Sequence, residues 1–335
     1  MDLNIPSALT QVLLIEDVSQ IGYARRSAQQ LAELLGFDET DAGRVALVAT
    51  ELASNILKHA AHGELHLRAT GNQGVEMIAV DRGQGFDLES CLVDGFSTGG
   101  TQGIGMGAIS RVAQVFDVHA DQRGTAMLAR LYPRTSNARD IRYGVSQHSL
   151  HNDPACGDAW HLAIEAGRFS VMVADGLGHG SEAERAARAG EEMFAQDPFQ
   201  DSATLLNDMH IGMNGTRGGA VAVAQYDAVA DRLRFTGVGN IGASLIGFGK
   251  SRGLASHPGI VGVQYRKAQP FDYAQVSGQL LILYSDGLQS RWNLADYPGL
   301  CHRHPALIAA ILHRDFCRGR DDVTVFVIAL EAIDG

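Results

Sequence analysis

Val171-Met172-Val173-Ala174-Asp175-Gly176-Leu177-Gly178-His179-Gly180 runs four apolar residues into a carboxylate, and the carboxylate into a turn carrying three glycines. The apolar run reads as a buried strand, and the glycines let the backbone bend and bring its carbonyls close to a ligand. A carboxylate at a strand end beside an exposed carbonyl suits a hard cation such as Mg²⁺ or Mn²⁺. Alone, the same residues also fit an aspartate that ends a strand by capping the next turn. The decision comes from the rest of the C-terminal half.

Acidic residues recur there in the same setting. Gly157-Asp158-Ala159-Trp160 stands just before the apolar strand at 162–164, Leu280-Leu281-Ile282-Leu283-Tyr284-Ser285-Asp286-Gly287 repeats the strand, Asp, Gly order, and Arg320-Asp321-Asp322 precedes the strand at 323–330. If these corners converged without cations, each carboxylate pair about 4 Å apart would repel by roughly 4 kcal/mol at an effective dielectric of 20. A divalent metal cluster removes that cost.

The ordered set Gly157-Asp158, Asp175-Gly176, Gly239-Asn240-Ile241, Ser285-Asp286-Gly287 and Asp321-Asp322-Val323-Thr324 resembles the PPM-type metal-dependent serine/threonine phosphatases, in the bacterial branch typified by SpoIIE and RsbX. The resemblance covers residues 140–332. It implies two stacked antiparallel sheets with helices outside and a two-metal Mn²⁺ or Mg²⁺ centre between the sheets. It also implies Asp158, Asp175, the Gly176 carbonyl, Asp286 and Asp322 as ligands, and in-line attack of an activated water on phosphorus without a covalent phosphoenzyme.

A chain of 335 residues exceeds the usual limit of one hydrophobic core, so two domains are expected. A net charge of −11 with no basic block argues against nucleic acid as the main partner. Met1-Asp2-Leu3-Asn4 lacks the regions of a signal peptide and no apolar run approaches a membrane span, so a cytoplasmic location without membrane attachment is expected. Cys91, Cys156, Cys301 and Cys317 form no CxxC pair and read as reduced thiols. The pairs His148/His151 and His302/His304 lack partners at ligand spacing and read as surface histidines.

The first 130 residues alternate strands and helices. The pattern predicts a strand at 11–15, helices at 18–35 and 41–59, strands at 65–70 and 75–81, a glycine-rich loop at 95–107, a short helix to 113, and strands near 116–119 and 126–131. In the longer helix Val45, Val48, Leu52 and Ile56 make an apolar stripe. Glu51, Asn55 and His59 make a polar line beside it, within an arc of about 80°. Asp81-Arg82-Gly83-Gln84-Gly85-Phe86 then puts a carboxylate before two glycines, and Gly99-Gly100-Thr101-Gln102-Gly103-Ile104-Gly105-Met106-Gly107 leads into a helix whose N–H groups could receive phosphates. The spacing fits neither the dinucleotide pattern G-x-G-x-x-G nor a P-loop.

Together, Glu51-Leu52-Ala53-Ser54-Asn55, the Asp81-x-Gly83-x-Gly85 turn, Asp94-Gly95-Phe96-Ser97-Thr98-Gly99-Gly100 and Gly124-Thr125 resemble the GHKL-type ATPase/kinase domain, within it the RsbT-type anti-sigma-factor serine kinases. The resemblance implies ATP or ADP with Mg²⁺ as cofactor. It places Mg²⁺ on Asn55, the adenine amino group on Asp81 within the Gly83/Gly85 turn, phosphates along Gly103, Gly105 and Gly107, and Thr125 near the adenine. Glu51 would be the base that takes a proton from a substrate hydroxyl.

The fold class expected is therefore α+β in two domains. Residues 8–132 would form a GHKL (Bergerat-type) α/β two-layer sandwich, 133–140 a linker, and 141–332 an α-β-β-α sandwich of two antiparallel sheets. The functional expectation is a bifunctional partner-switching regulator whose substrates are phosphorylated STAS-domain proteins. An anti-sigma factor or a downstream phosphatase or cyclase stands as a further partner, and homodimerisation is left open. The competing reading makes the first domain an ATP-sensing or partner-binding module only.

Overall fold

Leu3–Pro6 forms β1, and the chain then leaves it for a different set of elements. The computed structural model describes residues 3–71, 74–85, 104–136, 140–247 and 249–332, with backbone alone at 104 and 105. It divides into two compact units. One is Met1–Leu9 with Ile141–Ala295 and Leu312–Gly335; the other is Thr10–Asp140 with Asp296–Ile311.

In the second of these, β2 (Gln11–Ile15), β3 (Gly63–Thr70), β4 (Gly74–Asp81), β5 (Val115–Asp121) and β6 (Gly124–Leu131) make one antiparallel sheet in the order β2-β3-β4-β6-β5. Helices α1 (Val18–Leu34), α2 (Glu39–Ala60) and α3 (Ile104–Val112) accompany it. Asp17 starts α1 through a reciprocal capping box with Gln20, and Asp38 starts α2 by accepting the Asp41 N–H, two residues before the predicted start. The stripe Val45, Val48, Leu52 and Ile56 is buried in one core with Leu65, Leu67, Val75, Met77 and Ala129 of the sheet. Polar residues occupy other sheet positions. The Glu76 carboxylate lies 2.7 Å from the Arg68 guanidinium and 2.6 Å from that of Arg130, all three buried. Burial pushes the Glu76 carboxyl up, but the two guanidiniums outweigh it and hold it below the usual range.

The other unit stacks two antiparallel sheets. Its strands are β7 (Tyr143–His148), β8 (Asp158–Glu165), β9 (Arg168–Gly176), β10 (Gly219–Asp227), β11 (Arg232–Val238), β12 (Gly242–Gly247) and β13 (Lys250–Gly253). A small ribbon, β14 (Gly259–Ile260) with β15 (Gln264–Tyr265), precedes β16 (Phe271–Ala274), β17 (Leu280–Tyr284) and β18 (Val323–Ala329). The six-stranded sheet runs β1-β8-β9-β10-β11-β16 and the five-stranded sheet β13-β12-β17-β18-β7. Helices α4 (Ser181–Gln196) and α5 (Ser202–Gly212) cover the first sheet, and α6 (Pro305–Phe316) comes before β18.

The quoted apolar run is buried on both faces because β9 has a core on each side. Phe169, Val171 and Val173 pack between the sheets with Trp160, Leu283 and Phe326, while Met172 and Ala174 pack toward the helices with Ala186, Phe194 and Leu206. Side chains of this size contribute about 1.5–3 kcal/mol each when fully buried, so the strand that ends in Asp175 is among the most firmly held in the unit.

Two histidines depart from the surface placement expected of them. His148 is buried and stacks on His313 with ring centroids 3.8 Å apart, and His304 is buried with its Nε2 3.1 Å from Asp140. The described cysteines Cys156, Cys301 and Cys317 are free thiols, as expected, and Cys91 lies outside the described residues.

Candidate functional site

β8 and β9 pair in a register that sets Asp158 directly opposite Asp175. Directly opposed side chains in an antiparallel pair have Cβ atoms about 5 Å apart, and like charges there destabilise. From the other sheet, β17 ends just before Ser285-Asp286 and β18 begins just after Asp321-Asp322, with Tyr284 paired to Val325. Ser285 joins the two sheets: its hydroxyl donates to Asp158 Oδ2 at 2.6 Å, and its Oγ accepts the Thr324 N–H at 2.9 Å.

The electrostatics follow from this convergence. Burial, then the charges of Asp322 and Asp321, raise the Asp158 carboxyl to about 7, against the lowering effect of its hydrogen bonds from Ser285 and Thr324. Burial, then Asp158, Asp286 and Asp321, raise Asp175 to about 9. Asp321 is also raised, first by burial and then by Asp286 and Asp322, while His179 opposes the shift. The shifts show how strongly the site resists carrying all of these charges at once.

Asp322 behaves differently from its neighbours. Its Oδ1 accepts the Leu150 N–H at 2.7 Å and its Oδ2 the Gly157 N–H at 2.6 Å, so both oxygens brace backbone. Asp321 is the carboxylate whose charge bears on Asp175 from this corner. In sequence, two adjacent aspartates before a strand look equivalent until the strand's facing is known. Asp286 is exposed and accepts from Asn240 Nδ2 at 2.8 Å, which gives the Gly239-Asn240-Ile241 motif a role. Close packing fixes the glycines: a Cβ at Gly176 would lie 2.2 Å from the Ala183 oxygen, and one at Gly287 2.0 Å from the Asp322 oxygen.

Among the described residues, no group of three or more His, Cys, Asp or Glu side chains is arranged to hold a metal as it stands. Each carboxylate is turned to a protein donor instead: Asp158 to Ser285, Asp175 to the Asp286 N–H, Asp286 to Asn240 and Asp321 to the Asp322 N–H. The donor chemistry nonetheless fits Mn²⁺ or Mg²⁺, since Asp158, Asp175, Asp286 and Asp321 offer only oxygen and their mutual repulsion is what a cation relieves.

The second candidate corner lies at the end of β4. Asp81 is buried, and its Oδ1 accepts the Gly83 N–H at 2.8 Å and the Thr125 N–H at 3.1 Å. A Cβ at Gly124 would fall 2.1 Å from the Asp81 oxygen, and Gly124 has φ +135°, so this close crossing of β4 and β6 requires glycine. Gly85, at φ +65°, similarly presses on the Asp121 oxygen, 2.2 Å from an added Cβ. On α2, Glu51 is half-buried and Asn55 is buried with its Nδ2 lacking a hydrogen-bond partner among the described residues. An unmet buried donor costs about 1–3 kcal/mol, which a bound ligand would recover. Gly105 and Gly107 fall in the first turns of α3, and Gly103 and the motif at 94–100 lie outside the described residues.

Residues 15–131 match the family described as the histidine kinase-like ATPase domain. The chain is 33% identical over 101 residues to the serine/threonine-protein kinase RsbT of Bacillus subtilis (strain 168), a stretch making up 29% of this chain and 76% of RsbT. RsbX, solved in complex with magnesium, superposes with a TM-score of 0.52 at 20% identity, over 57% of this chain and 96% of that one. The PP2C phosphatase domain of SpoIIE from Bacillus subtilis, with a fragment of its regulatory domain, superposes with a TM-score of 0.50 at 14% identity, over 95% of this chain and 96% of that one. The expected fold pair, GHKL-like first and PPM-like second, is the one found. No described helix is long and apolar enough to cross a membrane.

Proposed function

We propose, for a chain that belongs through residues 15–131 to the RsbT-related family of histidine kinase-like ATPases, that it is a bifunctional regulator which removes and adds phosphate on the serine or threonine of STAS-domain proteins. The observation that carries the phosphatase half is the pairing of Asp158 with Asp175, both raised far above ordinary aspartates by burial and by each other's neighbours. Asp158, Asp175, Asp286, Asp321 and the Gly176 carbonyl would hold Mn²⁺ or Mg²⁺, with Asp322 bracing the loops that present them. When bound, such cations supply positive charge that activates water and offsets the charge developing on a phosphoryl group. The residues' own part is to keep these oxygens close at the mouth of the cleft, with Ser285 and Asn240 fixing two of the carboxylates.

The kinase half rests on family membership and on Glu51 standing one helical turn before Asn55 on α2. Glu51 would accept the proton of the target hydroxyl. Asn55 would reach Mg²⁺, Asp81 and Thr125 would receive the adenine, and Gly83, Gly85, Gly103, Gly105 and Gly107 would shape the adenine and phosphate walls. The chain is taken to act in the cytoplasm.

The test uses the full chain. With Mn²⁺ or Mg²⁺ it should release phosphate from a phosphoserine STAS protein and lose this activity in EDTA. Labelled ATP should transfer its phosphate to the unphosphorylated protein, and Glu51→Ala should abolish the transfer. Full phosphate release in EDTA would overturn the first half; transfer surviving Glu51→Ala would take the base role from Glu51.

A further inference from the structure

The chain carries a net charge of −11, and many of its arginines are tied to carboxylates, among them Arg44, Arg68, Arg130, Arg168 and Arg234. Arg291, Arg318 and Arg320 are not: all three are exposed, and none has a carboxylate partner among the described residues. They share one pocket of about 380 Å³, completed by Gln289 and Ser290. Three like charges lining one hollow repel one another, and an anionic group bound among them would relieve that repulsion.

The pocket's position follows from two loops zipped together by backbone. Arg318 N–H donates to the Gly287 carbonyl at 2.9 Å, Gln289 N–H donates to the Phe316 carbonyl at 2.9 Å, and Leu288 bridges Cys317. The Arg318 guanidinium is itself steadied, its Nε donating to the Leu288 carbonyl at 3.3 Å. The cleftward end of the first loop is Asp286 and that of the second is Asp321, the residue immediately after Arg320. The same two loops thus present carboxylates at one end and guanidiniums at the other. A cation-loaded cleft and an arginine pocket on one pair of loops make a site for a substrate carrying two anionic groups in succession.

We propose that Arg291, Arg318 and Arg320 form a specificity subsite that binds a second anionic group, next to the phosphoserine or phosphothreonine whose phosphate is removed. The inference rests on the phosphatase reading of the carboxylate cleft. Guanidinium forks bind carboxylate and phosphate alike through paired N–H donors, so the shared chemistry is an anion, from an acidic side chain or from a second phosphate. Gln289 and Ser290 add neutral polar groups at the rim. Each exposed ion pair is weak alone, and three acting on one group set an expected preference of about tenfold. Because the arginines are exposed, the preference should shrink as ionic strength rises and the screening length falls from about 10 Å toward 3 Å.

The experiment compares three phosphoserine peptides on the full chain with Mn²⁺: one flanked by glutamates, one by glutamines, one by glutamines and a second phosphoserine. In the unaltered protein kcat/KM should favour the anionic flanks about tenfold, through KM. In the double variant Arg291→Gln/Arg318→Gln the ratio should fall below about twofold, with melting temperature confirming an intact fold. A gain for glutamate alone or phosphoserine alone assigns the source of the anion and supports the subsite. Equal rates for all three peptides in the unaltered protein, or a preference that survives the double variant, overturns it. A parallel arm is independent of turnover: fluorescence anisotropy in EDTA with the unphosphorylated glutamate and glutamine peptides. If no peptide is hydrolysed, the phosphatase reading fails and this arm alone decides the pocket, tighter glutamate binding lost in the double variant supporting it and equal binding overturning it.

Discussion

Asp175 and Asp81 occupy the same local grammar: an apolar strand, an aspartate at its end, a glycine turn. Their surroundings differ. Asp81 is met by two backbone N–H groups, from Gly83 and Thr125, within a single sheet. Asp175 faces Asp158 across a strand pair and feels Asp286 and Asp321 from the opposite sheet, which with burial raise it to about 9. The first arrangement builds a neutralised corner that can present an acceptor to a neutral hydrogen-bond donor such as an amino group. The second builds a reservoir of uncompensated charge suited to cations. A motif therefore says where a carboxylate stands, and only its opposing residues say what it is for.

The comparison breaks most sharply at Asp175. Asp175→Asn should lower phosphoserine hydrolysis with Mn²⁺ about a thousandfold, equal to about 4 kcal/mol, while leaving nucleotide affinity as it was; steady-state rates beside calorimetric titration of ATP decide this, and parallel losses in both would remove the distinction. Gly124→Ala comes next. The added methyl would lie 2.1 Å from the Asp81 oxygen at a residue with φ +135°, so about 2–4 kcal/mol of stability should be lost. Denaturant melts would register it; an unchanged midpoint would mean the crossing of β4 and β6 can open at little cost.

Acidity supplies a third test. Asp158 and Asp175 have folded-state values raised to about 7 and about 9, above the ordinary aspartate value of about 3.9. A raised carboxyl binds its proton more tightly when folded, so its contribution favours the folded state at low pH and becomes a loss as pH climbs through that window. In EDTA the stability of the full chain should fall from pH 5 to pH 9 by a few kcal/mol, and Mn²⁺ should restore more of it at pH 9 than at pH 5. A metal-free chain equally stable at both ends would refute the charge reservoir. The smallest effect expected is Asp81→Asn, which keeps an oxygen acceptor but adds a donor; ATP affinity should weaken about tenfold, or about 1.4 kcal/mol.

Much of this was legible in the order of residues. β9 and α2 announce themselves because long apolar periodicity survives any tertiary context, and the strand-end aspartates follow from their spacing. That Asp322 braces the Leu150 and Gly157 N–H groups was not legible, because those contacts join residues 172 and 165 positions apart. His148 and His304 looked like surface residues because a lone histidine carries no signal of the Ser146 or Asp140 partner that buries it. Leu3–Pro6 is too short to show periodicity, so its place beside β8 could not be read. The arginine pocket was equally hidden, its three members being gathered from two loops.

That opening strand has a consequence for how the molecule comes into being. Leu3 pairs with Ile164, and Ser7 Oγ donates to the Trp160 carbonyl at 2.6 Å, yet every residue of β2 to β6 is synthesised in between. At about 5–20 residues per second the first strand must wait about 10–30 s on the ribosome before its partner emerges. Until then the β8 side of the sheet does not exist, and afterwards it is an open edge until β1 arrives. A chain begun at residue 141 would keep that edge permanently bare, exposing N–H and C=O groups that invite pairing with another copy. β1 thus acts as a built-in stopper, made well before β8 and seated only after it.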